Sequence, residues 1–312
     1  MSGKTATVAW QGIALKIPVD WSLVGVSGDE KKGYFRVDSP IASALEVRWS
    51  SAMGRAPDLM ARGREFLANL EKSCKKNKIA FSSKLRPNTD TDADDSVSFT
   101  WRADRLGQGC LLYCSQCDRV VIAQIISTKD ENVSHVAPVI LRSIRDHRDD
   151  GWVQWAMYGL EFAVPPAYKI EKQTLMSAKL SLFFKDKAKT LAVERWGLAG
   201  TMLADEEENL AQWYRKEVLP DVRGYRTELE EQTVKGHLGL KLTGRRGGIK
   251  QAVKAAGASL TLHPHPGLMT GYAWYCAGSN RIFSVRATHV RGDDIAEQIR
   301  DSIECHRREG NR

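Results

Sequence analysis

The chain is predicted to be an α+β protein of two similar lobes, each a mainly antiparallel sheet packed with two helices. Three observations carry this prediction. The sequence repeats itself once along its 312 residues. Each copy contains short strand-like runs separated by short turns, which favours antiparallel pairing. Each copy also contains room for one amphipathic helix in its middle and a second at its end.

The repeat is read directly. Gly12-Ile13-Ala14-Leu15-Lys16-Ile17-Pro18 matches Gly159-Leu160-Glu161-Phe162-Ala163-Val164-Pro165, and Trp21 matches Tyr168. The same offset carries Arg48-Trp49 onto Arg195-Trp196, so the two segments read as gap-free. Later, Tyr113-Cys114 matches Tyr275-Cys276 and Arg119 matches Arg281. Ile140, Ser143, Ile144 and His147 match Ile299, Ser302, Ile303 and His306. The change of offset places a net insertion in the second copy before Tyr275. The polar joint Asp149-Asp150-Gly151 sets the domains at 1–149 and 152–312, with the basic insertion near 247–268. So long a period is a tandem duplication and not a solenoid.

The first copy opens with strands around Val8–Ile17, Trp21–Val26, Tyr34–Val37 and Ala44–Trp49. In the fourth, Leu45, Val47 and Trp49 share one face. Residues 12–49 and 159–196 are expected to form the same strands, although Glu194 falls where Val47 would be and implies a bulge or a changed environment. A helix follows. Pro57 suits its first turn, and Leu59, Gly63, Phe66, Leu70 and Cys74 form one buried stripe. Lys75, Lys76 and Lys78 suit its negative end, with Asn77 as cap. Strands over Phe81–Leu85, Ser96–Trp101, Gly109–Cys114 and Arg119–Ile126 come next, then a helix near Pro138–His147. Its counterpart begins at Asp293-Asp294 and buries Ile295, Ile299 and Ile303.

This element order, with Ile17-Pro18-Val19-Asp20-Trp21 closing the opening strand, resembles the PsbP/Mog-like family. The resemblance implies an antiparallel sheet flanked by helices and a mostly non-enzymatic role, as in photosystem accessory subunits, Ran-binding factors and secretion-effector chaperones. No family site residue carries over.

Composition excludes several classes. No apolar run is long enough to span a bilayer. The N-terminus has no apolar region of a secretory signal, so a cytoplasmic protein is expected. Six cysteines in 312 residues do not make a disulfide scaffold. There is no Walker-type loop, dinucleotide glycine fingerprint or nucleophile elbow, and Gly244-Arg245-Arg246-Gly247-Gly248 lacks the ending of a phosphate loop. The expectation is a protein with no catalytic residues and no cofactor.

Three clusters compete for metal chemistry, and each reads as structural. Cys110, Cys114 and Cys117 have iron–sulfur spacing but sit on a hairpin. Cys276 keeps one of them, while Tyr272 and Ser279 replace the others. Cys114 and Cys276 are therefore expected to be buried equivalents that carry no metal. His263 and His265 flank Pro264, with His237 or His289 as a third candidate, but the segment reads as a solvated loop. The Asp90–Asp95 loop begins like a calcium loop and lacks its glycine and its closing glutamate. His147 and His306 recur at what reads as a helix C-terminus, where a histidine suits the dipole.

Charge is the functional signal. The net charge is +8, and from Gln232 to Gly292 there is no acid. That stretch carries Lys235, Lys241, Arg245, Arg246, Lys250, Lys254, Arg281, Arg286 and Arg291. Unopposed cations concentrate an anionic partner. Arg245, Arg246, Lys250 and Lys254 are the expected contact residues, the last two on one face of a short helix over Ile249–Ala256. The expected partner is an acidic protein surface, one candidate being the acidic loop of the first repeat, in the same chain or in a neighbouring molecule. The alternative is nucleic acid, with Tyr272, Trp274 and Tyr275 as stacking platforms. A third possibility is that acids elsewhere in the fold neutralise the patch.

Overall fold

The computed structural model describes residues 4–87, 96–128, 131, 133–203, 209–247 and 266–306. It is sheet-rich with few helices, and its strands form three antiparallel sheets. The chain divides into two compact units, 1–159 and 160–312. The division lies beyond the Asp149-Asp150-Gly151 joint because β10 (Val153–Met157) pairs with β1 (Thr5–Trp10) through Ala156 and Ala9.

In the first unit β1 also pairs with β2 (Ile13–Pro18) to make the small sheet. The turn between them uses positive φ at Gln11 (53°) and Gly12 (85°), as a two-residue type I′ turn requires. Tyr158 and Gly159 take the same pair of conformations (48° and 74°), which is why the repeat keeps that glycine.

The large sheet of the first unit contains β3 (Ser22–Gly28), β4 (Lys32–Asp38), β5 (Ala44–Ser51), β6 (Ser82–Pro87), β7 (Ser96–Arg102), β8 (Leu106–Cys114) and β9 (Arg119–Ser127). Their order is β3-β4-β5-β9-β8-β7-β6. Helix α1 (Leu59–Lys76) connects β5 to β6, and α2 (Ala137–Arg142) follows β9.

The second unit opens with β11 (Leu160–Val164) and then builds its sheet from β12 (Lys169–Leu175), β13 (Lys179–Asp186), β14 (Lys189–Gly197), β15 (Tyr225–Val234), β16 (His237–Arg246), β17 (Leu268–Cys276) and β18 (Arg281–His289). The order is β12-β13-β14-β18-β17-β16-β15, the same as in the first unit. Its helices among the described residues are α3 (Ala199–Met202), α4 (Leu210–Glu217) and α5 (Ala296–Ser302). So 12–49 and 159–196 do form the same four strands. Even the register shift at Leu23/Gly25 recurs at Ile170/Lys172.

The gap-free alignment fails at β14. Lys32 pairs with Ser50 across β4–β5, whereas its match Lys179 pairs with Trp196 across β13–β14. The second hairpin is one residue shorter. A slip of one residue moves every side chain to the other face, so Trp196 takes the place of Ser50 and not of Trp49. Val193 stands where Val47 does, opposite Val285 as Val47 is opposite Ala123. Trp49 packs on Phe35, while Trp196 packs edge-on against Trp213 of α4 at 5.0 Å. Glu194 therefore marks no bulge, since β14 runs in unbroken register with both neighbours.

The helices correct the expected boundaries. Asp58 caps α1 by accepting from the Ala61 N–H at 2.8 Å, so Pro57 lies outside the helix. Asn77 ends it as expected, its side chain donating to the Ser73 carbonyl. Leu59, Gly63 and Leu67 are fully buried, and Phe66 lies 5.3 Å from Phe99. Helix α2 stops at Arg142. The Ser143 hydroxyl takes the Ile140 carbonyl at 2.6 Å, and Arg145 leaves to exchange two backbone hydrogen bonds with Ala14. In α5 Ser302 repeats the first device on Ile299, and Asp294 precedes the helix, accepting from the Ala296 N–H. His147 and His306 thus lie beyond their helices.

Glu194 and Arg286 form an ion pair at 2.6 Å, with side chains 4% and 7% exposed. Ser181 Oγ donates to the same carboxylate. Removing one partner strands the other charge, so Glu194→Ala is expected to lower unfolding free energy by about 3–5 kcal/mol in urea denaturation. A loss below about 1 kcal/mol would mean that the pair is not desolvated.

Candidate functional site

Two features of the second unit bear on function, one at each end of the β16–β17 hairpin strands. At the insertion end, Arg226 on β15 stands directly opposite Arg245 on β16, and Arg246 is opposite Tyr225. All three arginines are exposed. The row continues through Leu268 to His289, lining a groove with Glu228, Thr243 and Thr270. Tyr225 anchors the chain here by donating from its hydroxyl to the Pro266 carbonyl at 2.8 Å. Arg226 was hidden in the sequence because it lies before the acid-free stretch. Only the strand register brings it to Arg245.

The stretch is acid-free along the chain but not in space. Glu230 faces Lys241 across β15–β16, and Glu228 and Glu231 share that strand. Arg286 is spent on Glu194, and Lys235 donates to the Asp301 carbonyl at 2.8 Å. The cations that the structure gathers are therefore Arg245 and Arg246, joined by Arg226. Lys250 and Lys254, the expected helix over Ile249–Ala256, His263 and His265 lie outside the described residues, as does the Asp90–Asp95 loop. The aromatic platforms are not free. Tyr272 is buried under the Arg300 guanidinium at 4.4 Å. Trp274 is fully buried on Phe283, and Tyr275 packs into the α4 core. His289 is held by the Thr270 hydroxyl at 2.9 Å and by the Val290 carbonyl.

At the other end lies a cluster of thiols and imidazoles. Cys276 ends β17, His237 begins β16, and Cys305 and His306 follow α5. Cys276 Sγ is 3.3 Å from His306 Nδ1. Cys305 Sγ is 3.3 Å from His306 Nδ1 and 3.3 Å from His237 Nε2. All four donor atoms lie within 4.8 Å of one another. Both cysteines are buried, and His306 is exposed. Burial, His306 and Lys235 hold the His237 imidazole below its ordinary pKa, and burial raises the Cys305 thiol.

The first unit carries a smaller relative of this cluster. Cys114 Sγ lies 3.2 Å from His147 Nδ1 and accepts from the Cys117 N–H at 3.3 Å. Cys114 is half-buried, unlike the buried Cys276. Cys117 is thus no solvated turn residue, and its thiol is raised by burial and by Asp146. Cys110 belongs to neither group: it is buried on β8 with its thiol pushed up to about 12. The iron–sulfur spacing therefore does not correspond to one site.

The two clusters differ at aligned positions. Cys117 corresponds to Ser279, and Asp146 corresponds to Cys305. In the first unit Asp146 forms a buried ion pair with Arg119, whose guanidinium also donates to the Gln11 carbonyl. In the second unit Arg281, beside Cys276, stands at the position of the arginine and Cys305 at that of the acid. Nothing in the sequence singled out Cys305, and its pattern set His237 beside His263 and His265 and not beside the cysteines. The usable signal was the recurrence of a cysteine and a histidine together, Cys114 with His147 and Cys276 with His306.

No protein-family model matches the chain, and no curated protein matches it. Among solved structures it is similar to DynU16, a protein of the dynemicin biosynthetic locus, at 10% identity over 91% of this chain and 92% of that one, with a TM-score of 0.17. A similarity at that score assigns neither fold nor function.

Cys110 is buried, and burial holds its thiol in the protonated, unreactive form. With its thiol at about 12, the thiolate fraction at pH 8 is about 10⁻⁴. Iodoacetamide labelling followed by peptide mass mapping should find Cys110 unmodified in the native protein and modified after unfolding. Labelling at the rate of an unfolded-chain thiol would show that the site opens.

Proposed function

We propose that the protein is a non-catalytic accessory or adaptor protein built from two copies of one PsbP/Mog-like α+β domain, and that its second unit docks an acidic protein surface. The observation that carries this is the direct cross-strand opposition of exposed Arg226 and Arg245, with Arg246 alongside. Like charges directly opposite on a sheet destabilise it, and an anion set between them turns that repulsion into attraction. The insertion bearing Lys250 and Lys254 leaves the sheet at this row, so its cations would extend the same contact. The equal strand order of the two large sheets and the shared register shift support the duplication. Six free cysteines suit a reducing compartment, the cytoplasm. Among the described residues no helix is long and apolar enough to cross a membrane.

Nucleic acid is the lesser reading, because Tyr272 and Trp274 are buried and base stacking needs exposed rings. Fluorescence anisotropy with labelled poly-glutamate and with a single-stranded DNA of equal charge separates the two. Poly-glutamate should bind at low salt, and Arg226→Glu with Arg245→Glu should weaken it at least tenfold without lowering thermal stability, since the residues are exposed. Tighter binding of the DNA would transfer the groove to nucleic acid. Failure of both probes to bind would remove the docking reading.

A further inference from the structure

We infer that His237, Cys276, Cys305 and His306 form a tetrahedral zinc site in the second unit. Two thiols and two imidazoles are the set that a structural zinc takes, and soft sulfur with nitrogen selects against magnesium and calcium. Their spacing is also right. With zinc–sulfur bonds of about 2.3 Å and zinc–nitrogen bonds of about 2.0–2.1 Å, the edges of the tetrahedron span about 3.3–3.8 Å. Three of the edges in the protein measure 3.3 Å, Cys276–His306, Cys305–His306 and Cys305–His237. The remaining pairs also stay within 4.8 Å, so small side-chain rotations close the shell.

The ligands come from three separate places. His237 is on the first residue of β16, Cys276 on the last residue of β17, and Cys305-His306 follow α5. Such a site ties the end of the chain to the sheet, which is the work of a structural metal and needs no open coordination position. On binding, each thiol gives its proton to solvent and its lone pair to zinc, while both imidazoles bind neutral through the ring nitrogens that already converge. No oxidant or reductant takes part.

The comparison between units points the same way. The first unit brings together Cys114, Cys117 and His147, three donors, and keeps Asp146 in an ion pair with Arg119. The second has Ser279 in place of Cys117, exchanges that acid for Cys305 and adds His237, and so reaches four. Arg281, the arginine aligned with Arg119, is the cross-strand neighbour of Cys276. Hydrogen bonding alone does not account for this arrangement. A buried thiol is a weak donor and a weak acceptor, yet here two thiols and two imidazole rings share one small space, the rings 5.2 Å apart and edge-on.

The test uses the full chain, stripped of metal by a chelator under reducing conditions and titrated with cobalt(II) as a spectroscopic stand-in for zinc. One equivalent should bind with tetrahedral d–d absorption and a thiolate charge-transfer band of two-sulfur intensity, and zinc should displace it. Cys305→Ser and His237→Asn should each weaken binding by more than the about 10–100-fold that losing a supporting residue costs in other metal sites. Cys117→Ser should leave the spectrum and the affinity unchanged. His237 is half-exposed at a strand start, so His237→Asn tests the site even where Cys305→Ser fails to fold, with near-ultraviolet circular dichroism reporting the fold of each variant. Absence of the band in the wild-type chain overturns the proposal. So does a band that survives both Cys305→Ser and His237→Asn, and so does one lost only with Cys117→Ser.

Discussion

Each unit depends on one strand pairing that no hairpin supplies. In both large sheets every neighbouring pair consists of strands consecutive among the described ones except one, β5–β9 in the first and β14–β18 in the second. This seam closes a loop that contains the middle helix and three strands, so it bears the largest loop-closure entropy in the sheet. Both seams carry buried or half-buried polar links on the helix side. In the first, Gln124 donates to Glu46 at 3.1 Å and accepts from the Trp101 indole. In the second, Arg286, aligned with Gln124, pairs with Glu194. A polar link at a seam is satisfied in one register only, so it specifies the pairing that sequence-local hairpins leave open.

Much of the fold was legible because hairpins leave local signatures. Strands flanked by glycine turns, the α1 stripe from Leu59 onward, and the repeat of Gly12 at Gly159 all report on neighbouring residues. What failed was information that only register holds. The match of Trp49 to Trp196 is good as a string and wrong as a structure, because one residue lost from the β13–β14 turn reverses the face of β14. Glu194 then ceases to be an anomaly. It stands where Arg48 stands, on the face where a charge can meet Arg286. The helix ends failed for a related reason. The apolar spacing of Ile140 and Ile144 continues past Arg142, but the Ala14–Arg145 bridge competes for the backbone and ends α2.

The cysteines show the same limit at the level of chemistry. Their spacing along β8 suggests one three-sulfur site. Alternation along the strand, the turn at Cys117 and the distant His147 divide them into a buried inert thiol and a thiol–imidazole group. His306 looked like a dipole partner only while the helix was taken to reach it. Once α5 ends at Ser302, the same residue turns its ring to Cys276 and Cys305. The acid-free stretch was legible as composition, but its meaning was not, since β15 sets Glu230 against Lys241 and Arg226 against Arg245 in one hairpin.

The two features of the second unit occupy opposite ends of the same two strands. β16 begins at His237 in the thiol–imidazole cluster and ends at Arg245 and Arg246 in the arginine row. β17 begins at Leu268 in that row and ends at Cys276 in the cluster. A nine-residue strand holds its ends about 27 Å apart, beyond a Debye length at physiological salt and beyond shared contacts. The ends are joined through a paired, buried ladder and not through a loop. A contact made at the arginine row therefore neither needs nor disturbs the donors at the far end. Compared with the first unit, the second has a longer β16–β17 connection at one end of these strands and Cys305 at the position of Asp146 at the other. Neither difference touches the seam that holds the sheet together.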